Sequence, residues 1–266
     1  MIDVLIPTAD RPDVIGLCLM SLASQTVTPD RVIVYDNGSI SIMSDYKNRM
    51  IWDILTEKGI EMIYLRKNKR SGLSRAREVL LKQVQSNDFM PLDDDALLEP
   101  NYIEMLIKVL DKNVEEAEED TKKIKNFAGG LFLLPNNEIQ KPDFSAAPVD
   151  YPPEGVQEYQ YAFFRYNTDL CIPIEYGGIS GVIFRNYCVG TLLSALNGFP
   201  DNAPLEEFVQ TRNVGKGLLV TKAVCWHLMS REQRRDWAYA LENVFRQRFQ
   251  NEPKEVENFL KGRKND

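Results

Sequence analysis

The sequence offers little of what several functional classes require. It has no CxxC pair, and its four cysteines, Cys18, Cys171, Cys188 and Cys225, stand far apart in apolar surroundings. They read as buried thiols in a reducing compartment, not as a disulfide framework. Charges interrupt every apolar run well before the ~20 residues that a membrane span needs. The opening MIDVLIPTADRP has no basic leader and meets a proline at position 7. No signal peptide is therefore expected, and the expected location is cytoplasmic. Basic charge is not in excess: the formal net charge is −7, which weighs against a dedicated nucleic-acid binder. Internal repeats and low-complexity tracts are absent as well. What remains is ordinary globular usage, 44% hydrophobic and 27% charged over 266 residues. That is enough to bury a core in one large domain or two small ones.

The first hundred residues alternate short aliphatic runs with amphipathic stretches. Ile2–Ile6, Arg31–Tyr35, Ile60–Leu65 and Phe89–Leu92 read as strands, and Val14–Ser24, Met43–Thr56 and Ser71–Gln85 as helices, the last with Ser71 as its N-cap. This order implies βαβ units and a mainly parallel sheet flanked by helices. Ligands of such sheets bind beyond the carboxyl ends of the strands. Asp36 and the run Asp93-Asp94-Asp95 both fall at such ends. A helix follows Pro100 and runs into an acidic, lysine-interleaved stretch that reads as a solvated face. The segment from Pro135 to Tyr176 is irregular, with eight aromatics between Phe144 and Tyr176. It reads either as a functional loop or lid or as a loop packed on the core. Ile179–Phe184 and Leu218–Trp226 resume as strands. Trp237, Leu241, Val244 and Phe245 then recur at helical spacing and predict an amphipathic C-terminal helix.

Three successive aspartates raise one another's pKa values unless something positive neutralises them. Carboxylate oxygens suit Mg²⁺ or Mn²⁺, which keep waters and bridge to substrate phosphates. The run also suits an acidic helix entry with no ligand at all. A basic cluster precedes it, Arg66, Lys67, Lys69, Arg70, Arg75 and Arg77. Cations beside an acidic, metal-binding edge fit a diphosphate, although such a cluster is also a common solvated face.

At these positions the chain resembles family 2 glycosyltransferases of the GT-A fold. The resemblance rests on VLIPTADRPDVIGLCLMSLASQT, VIVYDNGS, SGLSRAREVL and FMPLDDDALLEPNYIEML, four motifs in the family's order over residues 1–110. Looser likenesses follow in GGISGVIFRN, LEEFVQTRNVGKG and KAVCWHL. The resemblance implies a Rossmann-like GT-A sheet with a C-terminal helical extension. Residues 1–110 would form a nucleotide-sugar half, 111–228 an acceptor and catalytic half of the same domain, and 229–266 the extension. It places Thr8 and Asp10 in the loop lining the nucleotide site, and Asp36 on the base or ribose. Asn37 stands where the family often has a second acid. Arg75 or Arg77 would face the uracil or the diphosphate. Asp93 would approach the ribose or sugar, Asp94 would be the variable middle position, and Asp95 would hold the metal. His227, the one histidine of the sequence, resembles the second protein ligand of that metal. Glu206, with Arg212 six and Gly217 eleven residues later, resembles the catalytic base; Glu207 is the alternative. Both are glutamates where the family usually has an aspartate.

The implied activity is transfer of a sugar from a nucleotide-sugar donor, most often UDP-linked, to an acceptor hydroxyl, with inversion and with Mn²⁺ or Mg²⁺. A glycan is the leading acceptor. A nucleic acid is a minor possibility, since residues 47–82 carry ten basic and four acidic side chains. A sugar nucleotidyltransferase would need a glycine-rich loop after the first strand, and PTADRP has none. A haloacid-dehalogenase-type phosphatase would need DxDxT, but Ala96 and Leu97 follow Asp95. The non-enzymatic alternative is a degenerate GT-A domain that binds a nucleotide sugar or glycan.

Overall fold

Along β1 (Ile2–Thr8) successive side chains point to opposite faces. Ile2, Val4 and Ile6 join one core cluster, and Leu5 joins another. The strand is buried over its whole length, as a strand covered on both faces must be. The computed structural model describes residues 1–116, 125–133, 171–174, 180–196, 214–215 and 217–228. Within them β1 is followed by α1 (Ile15–Ala23), β2 (Arg31–Asp36), α2 (Tyr46–Glu57), β3 (Glu61–Arg66), α3 (Leu73–Leu81), β4 (Asp88–Pro91), β5 (Ala96–Leu98) and α4 (Tyr102–Glu116). Then come β6 (Phe127–Leu133), β7 (Cys171–Ile174), β8 (Ile183–Arg185), α5 (Val189–Leu196) and β9 (Gly217–His227).

The strands form one nine-stranded sheet in the order β3-β2-β1-β4-β8-β6-β9-β5, with β7 added on β9. β3, β2, β1 and β4 are mutually parallel, so their carboxyl ends share one edge. β8 pairs antiparallel with both β4 and β6, β6 runs parallel to β9, and β5 and β7 are antiparallel to β9. Strands from the first 110 residues thus pair directly with later ones, β4 with β8 and β5 with β9. Leu19 and Leu22 of α1, Leu55 of α2 and Tyr102, Ile103, Leu106 and Leu110 of α4 cover one face. Ala76, Leu80 and Leu81 of α3 and Leu192 and Leu196 of α5 cover the other. The architecture is a mixed α/β fold, helices on both sides of a sheet whose first half is wholly parallel.

Two local readings change. The expected helix start at Ser71 moves to Leu73, because Gly72 takes φ 80° at the N-cap, a conformation that glycine adopts without steric cost. Ser71 instead accepts a 3.0 Å hydrogen bond from Asn37. The aspartate run is not a helix entry. It is a turn, closed by the Ala96 N–H donating to the Asp93 carbonyl at 3.1 Å, which feeds the short strand β5. Among the described residues no helix is long and apolar enough to cross a membrane. The predicted C-terminal helix and most of the aromatic 135–176 segment lie outside the described residues.

Candidate active site

The carboxyl ends of β1 and β2 open into two loops that are sewn together. Asp10 has φ 57°, which an aspartate tolerates better than most residues. Its carboxylate accepts from the Ile40 N–H at 2.8 Å and pairs with Arg70 Nε at 3.0 Å. Those contacts, the Ile40 N–H first, hold Asp10 below the usual carboxylate range. Gly38 permits this approach, because a Cβ there would lie 2.2 Å from the Asp10 nitrogen.

Asp36 occupies its expected strand end but faces inward. It is fully buried. Its Oδ1 accepts from the Gly38 N–H at 3.2 Å. Its Oδ2 accepts from the Ile42 N–H at 3.0 Å, the Tyr64 hydroxyl at 2.6 Å and Arg66 Nη1 at 2.6 Å. The carboxylate is consumed in holding the β2 loop against β3. Burial, with the bond to Asp36 second, raises the Tyr64 hydroxyl above its usual pKa and keeps it a donor.

The aspartate run lies across the ends of β1 and β4. Asp94 is buried, accepting from Thr8 Oγ1 at 2.6 Å and pairing with Arg11 Nη1 at 2.7 Å. Asp95, also buried, pairs with Arg11 Nη2 and lies 3.1 Å from His227 Nε2. Asp93 is the open member, its side chain 30% exposed and 3.6 Å from Arg77 Nη2. Its N–H donates to Ser180 Oγ at 2.9 Å. Burial, helped by the charge of Asp95 and opposed by Arg11, pushes Asp94 up to about 7. For Asp95 burial also acts upward, but the bond and charge of His227 and then Arg11 outweigh it and lower its pKa. Asp94, the middle position, is thus tied to both Thr8 at the end of β1 and Arg11 in the loop after it.

His227 reaches Asp95 through sheet register. β5 and β9 pair antiparallel with Ala96 opposite His227, and the Leu228 N–H donates to the Asp95 carbonyl at 2.8 Å. Trp226 Nε1 bonds Glu99 at 2.8 Å and locks the same join. Among the described residues no group of three or more His, Cys, Asp and Glu is gathered as a cage for a metal. A carboxylate and an imidazole side by side do fit Mg²⁺ or Mn²⁺ in kind, since such ions commonly take one or two protein ligands plus phosphate and water.

The other expected residues separate. Arg77 is buried beside Asp93, whereas Arg75 is half exposed and pairs with Glu78 on its own helix. Glu206 and Glu207 lie outside the described residues. Arg11 and Ser180 were not singled out from the sequence. Arg11 had a signal, a cation in the loop after β1 available to the three acids. Ser180 had none beyond its place in GGISG.

Residues 3–118 match the model of glycosyl transferase family 2, which bears out the resemblance over that stretch. The fold is shared with residues 1–349 of S. aureus TarS in complex with UDP. The TM-score there is 0.54 at 15% identity, covering 97% of this chain and 69% of that one. S. aureus TarS itself gives a TM-score of 0.55 at 14% identity, covering 96% and 44%. GalNAc-T7 with UDP, GalNAc and Mn²⁺ gives 0.53 at 13% identity, covering 91% and 47%. The chain thus spans from under half to about two thirds of those chains' lengths. No curated protein sequence matches it significantly.

Proposed function

We propose, from the match of residues 3–118 to the family 2 glycosyltransferase model, that this protein is a metal-dependent, inverting glycosyltransferase. Its donor is a nucleotide sugar, UDP-linked by preference, and its acceptor a hydroxyl of a glycan or similar molecule. The observation that carries the reading is the Asp93–Asp95 turn at the parallel strands' carboxyl edge, with His227 drawn onto Asp95 by strand register. The UDP bound to TarS and the UDP and Mn²⁺ bound to GalNAc-T7 support it.

Asp95 and His227 would hold Mn²⁺ or Mg²⁺. Such an ion, when bound, supplies positive charge to the departing diphosphate. Arg77 would add a fixed cation next to Asp93 at little reorganisation cost, and Asp93, the open acid, would approach the ribose or sugar. Asp10 and its loop would border the nucleotide. Glu206, or Glu207 one residue on, would accept the acceptor hydroxyl's proton in an in-line displacement, giving inversion. In this reading residues 1–110 bind the donor, 111–228 complete the acceptor side, 229–266 form a helical extension, and the enzyme is cytoplasmic. A nucleic-acid acceptor is the minor branch.

One observation favours a second reading, a domain that binds nucleotide sugars without turning them over. Every carboxylate oxygen of Asp94 and Asp95 is already engaged by Thr8, Arg11 or His227. Hydrolysis of UDP-, GDP- and TDP-sugars with Mn²⁺, and again in EDTA, separates the two. Mn²⁺-dependent release of one nucleoside diphosphate is expected. Tight UDP binding with no turnover of any sugar would select the binding module.

A further inference from the structure

The Arg11 guanidinium straddles two buried acids, one arm on Asp94 and the other on Asp95. Asp95 is also the acid that touches His227. We propose that Arg11 is an exchangeable counter-cation of this edge, which a divalent ion displaces rather than joins. The proposal rests on the metal-dependent reading above.

Three observations carry it. The acids are buried side by side, so a cation or a proton has to offset their charge whether or not a metal is present. A dication taken between Asp95 Oδ1 and His227 would bring two positive charges up to the carboxylate whose Oδ2 holds Arg11, and the repulsion between the cations would drive the arginine off. Finally, the main chain of Arg11 is fixed independently of its guanidinium, whose arms are held by these two acids. Pro12 follows it, and its carbonyl accepts from the N–H groups of Val14 and Ile15 at 3.2 and 3.4 Å, at the entry to α1. Its buried Nε has no hydrogen-bond partner among the described residues. Exchange therefore asks for a side-chain rotation, with the loop left in place.

The test is Mn²⁺ titration of the nucleotide-free protein by calorimetry, with free Mn²⁺ counted by electron paramagnetic resonance. Arg11→Gln should bind Mn²⁺ at least tenfold more tightly than wild type, and Arg11→Lys, which keeps the charge, should stay near wild type. A second measurement needs no variant. Mn²⁺ should raise several-fold the rate at which phenylglyoxal modifies Arg11 in the wild-type chain, read by peptide mass spectrometry. Mn²⁺ affinity in Arg11→Gln equal to or weaker than wild type overturns the exchange, as does unchanged labelling of Arg11, and both leave the metal reading standing. Absence of Mn²⁺ binding in wild type and variant alike overturns exchange and metal reading together, and UDP titration then shows whether the donor reading survives.

Discussion

Replacing Asp36 with alanine should unfold the protein far more readily without first weakening a ligand contact. Four donors converge on this carboxylate, the N–H groups of Gly38 and Ile42, the Tyr64 hydroxyl and the Arg66 guanidinium. Two of them are buried main-chain groups that water cannot reach after the substitution. Each costs about 1–3 kcal/mol when left unpaired. Arg66 keeps a quarter of its side chain exposed and can rehydrate, so its share is smaller. Together the loss should be ~3–5 kcal/mol, the range found on breaking a buried charged pair. At about 2–4 °C per kcal/mol for a chain of this size, the melting temperature should fall by ~6–20 °C. Urea unfolding followed by circular dichroism should show the same loss as a lower midpoint at unchanged slope. UDP affinity, measured well below the new melting temperature, should change little. A variant that melts like wild type but no longer binds UDP would refute this, and would return Asp36 to the crevice.

The remaining expectations concern the site itself. Asp95→Ala and His227→Ala should each lose Mn²⁺ binding in calorimetry, and full turnover in EDTA would show that no ion is needed. Glu206→Gln should bind UDP normally but transfer about 10²–10⁴-fold more slowly, as removal of a positioned base does. The wild-type product should have the anomeric configuration opposite to the donor's, read by proton NMR; a dead Glu207→Gln with an active Glu206→Gln would shift the base by one residue. Arg75→Ala should leave donor affinity unchanged and cost only the ~0.2–0.5 kcal/mol of a helix-surface pair, whereas a drop in UDP affinity would bring Arg75 into the site.

The parallel half of the sheet was legible because each of its strands is a short aliphatic run ended by a turn or an acid. Ile2–Ile6 and Arg31–Tyr35 each fell within about two residues of the observed strand ends. β5 escaped because three residues, Ala96–Leu98, are too few for a period to show, and their strand character comes from β9. The aspartates were legible as a group, but not which of them faces outward. That depends on Thr8 and Arg11, which arrive from another loop. Arg75 and Arg77 look equivalent in sequence, yet helix geometry turns one to solvent and the other to Asp93. Asp36 was placed at the right strand end, but its partners Tyr64 and Arg66 come from the neighbouring strand and were not foreseen.

The join between β5 and β9 has a consequence for the growing chain. The three aspartates and Arg11 leave the ribosome well before His227 and the strand that carries it. At about 5–20 residues per second, roughly 7–26 s separate Asp95 from His227. Throughout that interval Arg11 is already present to neutralise the acids, so the donor-side half need not wait with a bare cluster of negative charge. Pairing β9 with β5 closes a long chain segment, which makes it a slow, non-local step. The imidazole is therefore delivered after the acids and the arginine, and it reaches Asp95 only as β9 closes onto β5.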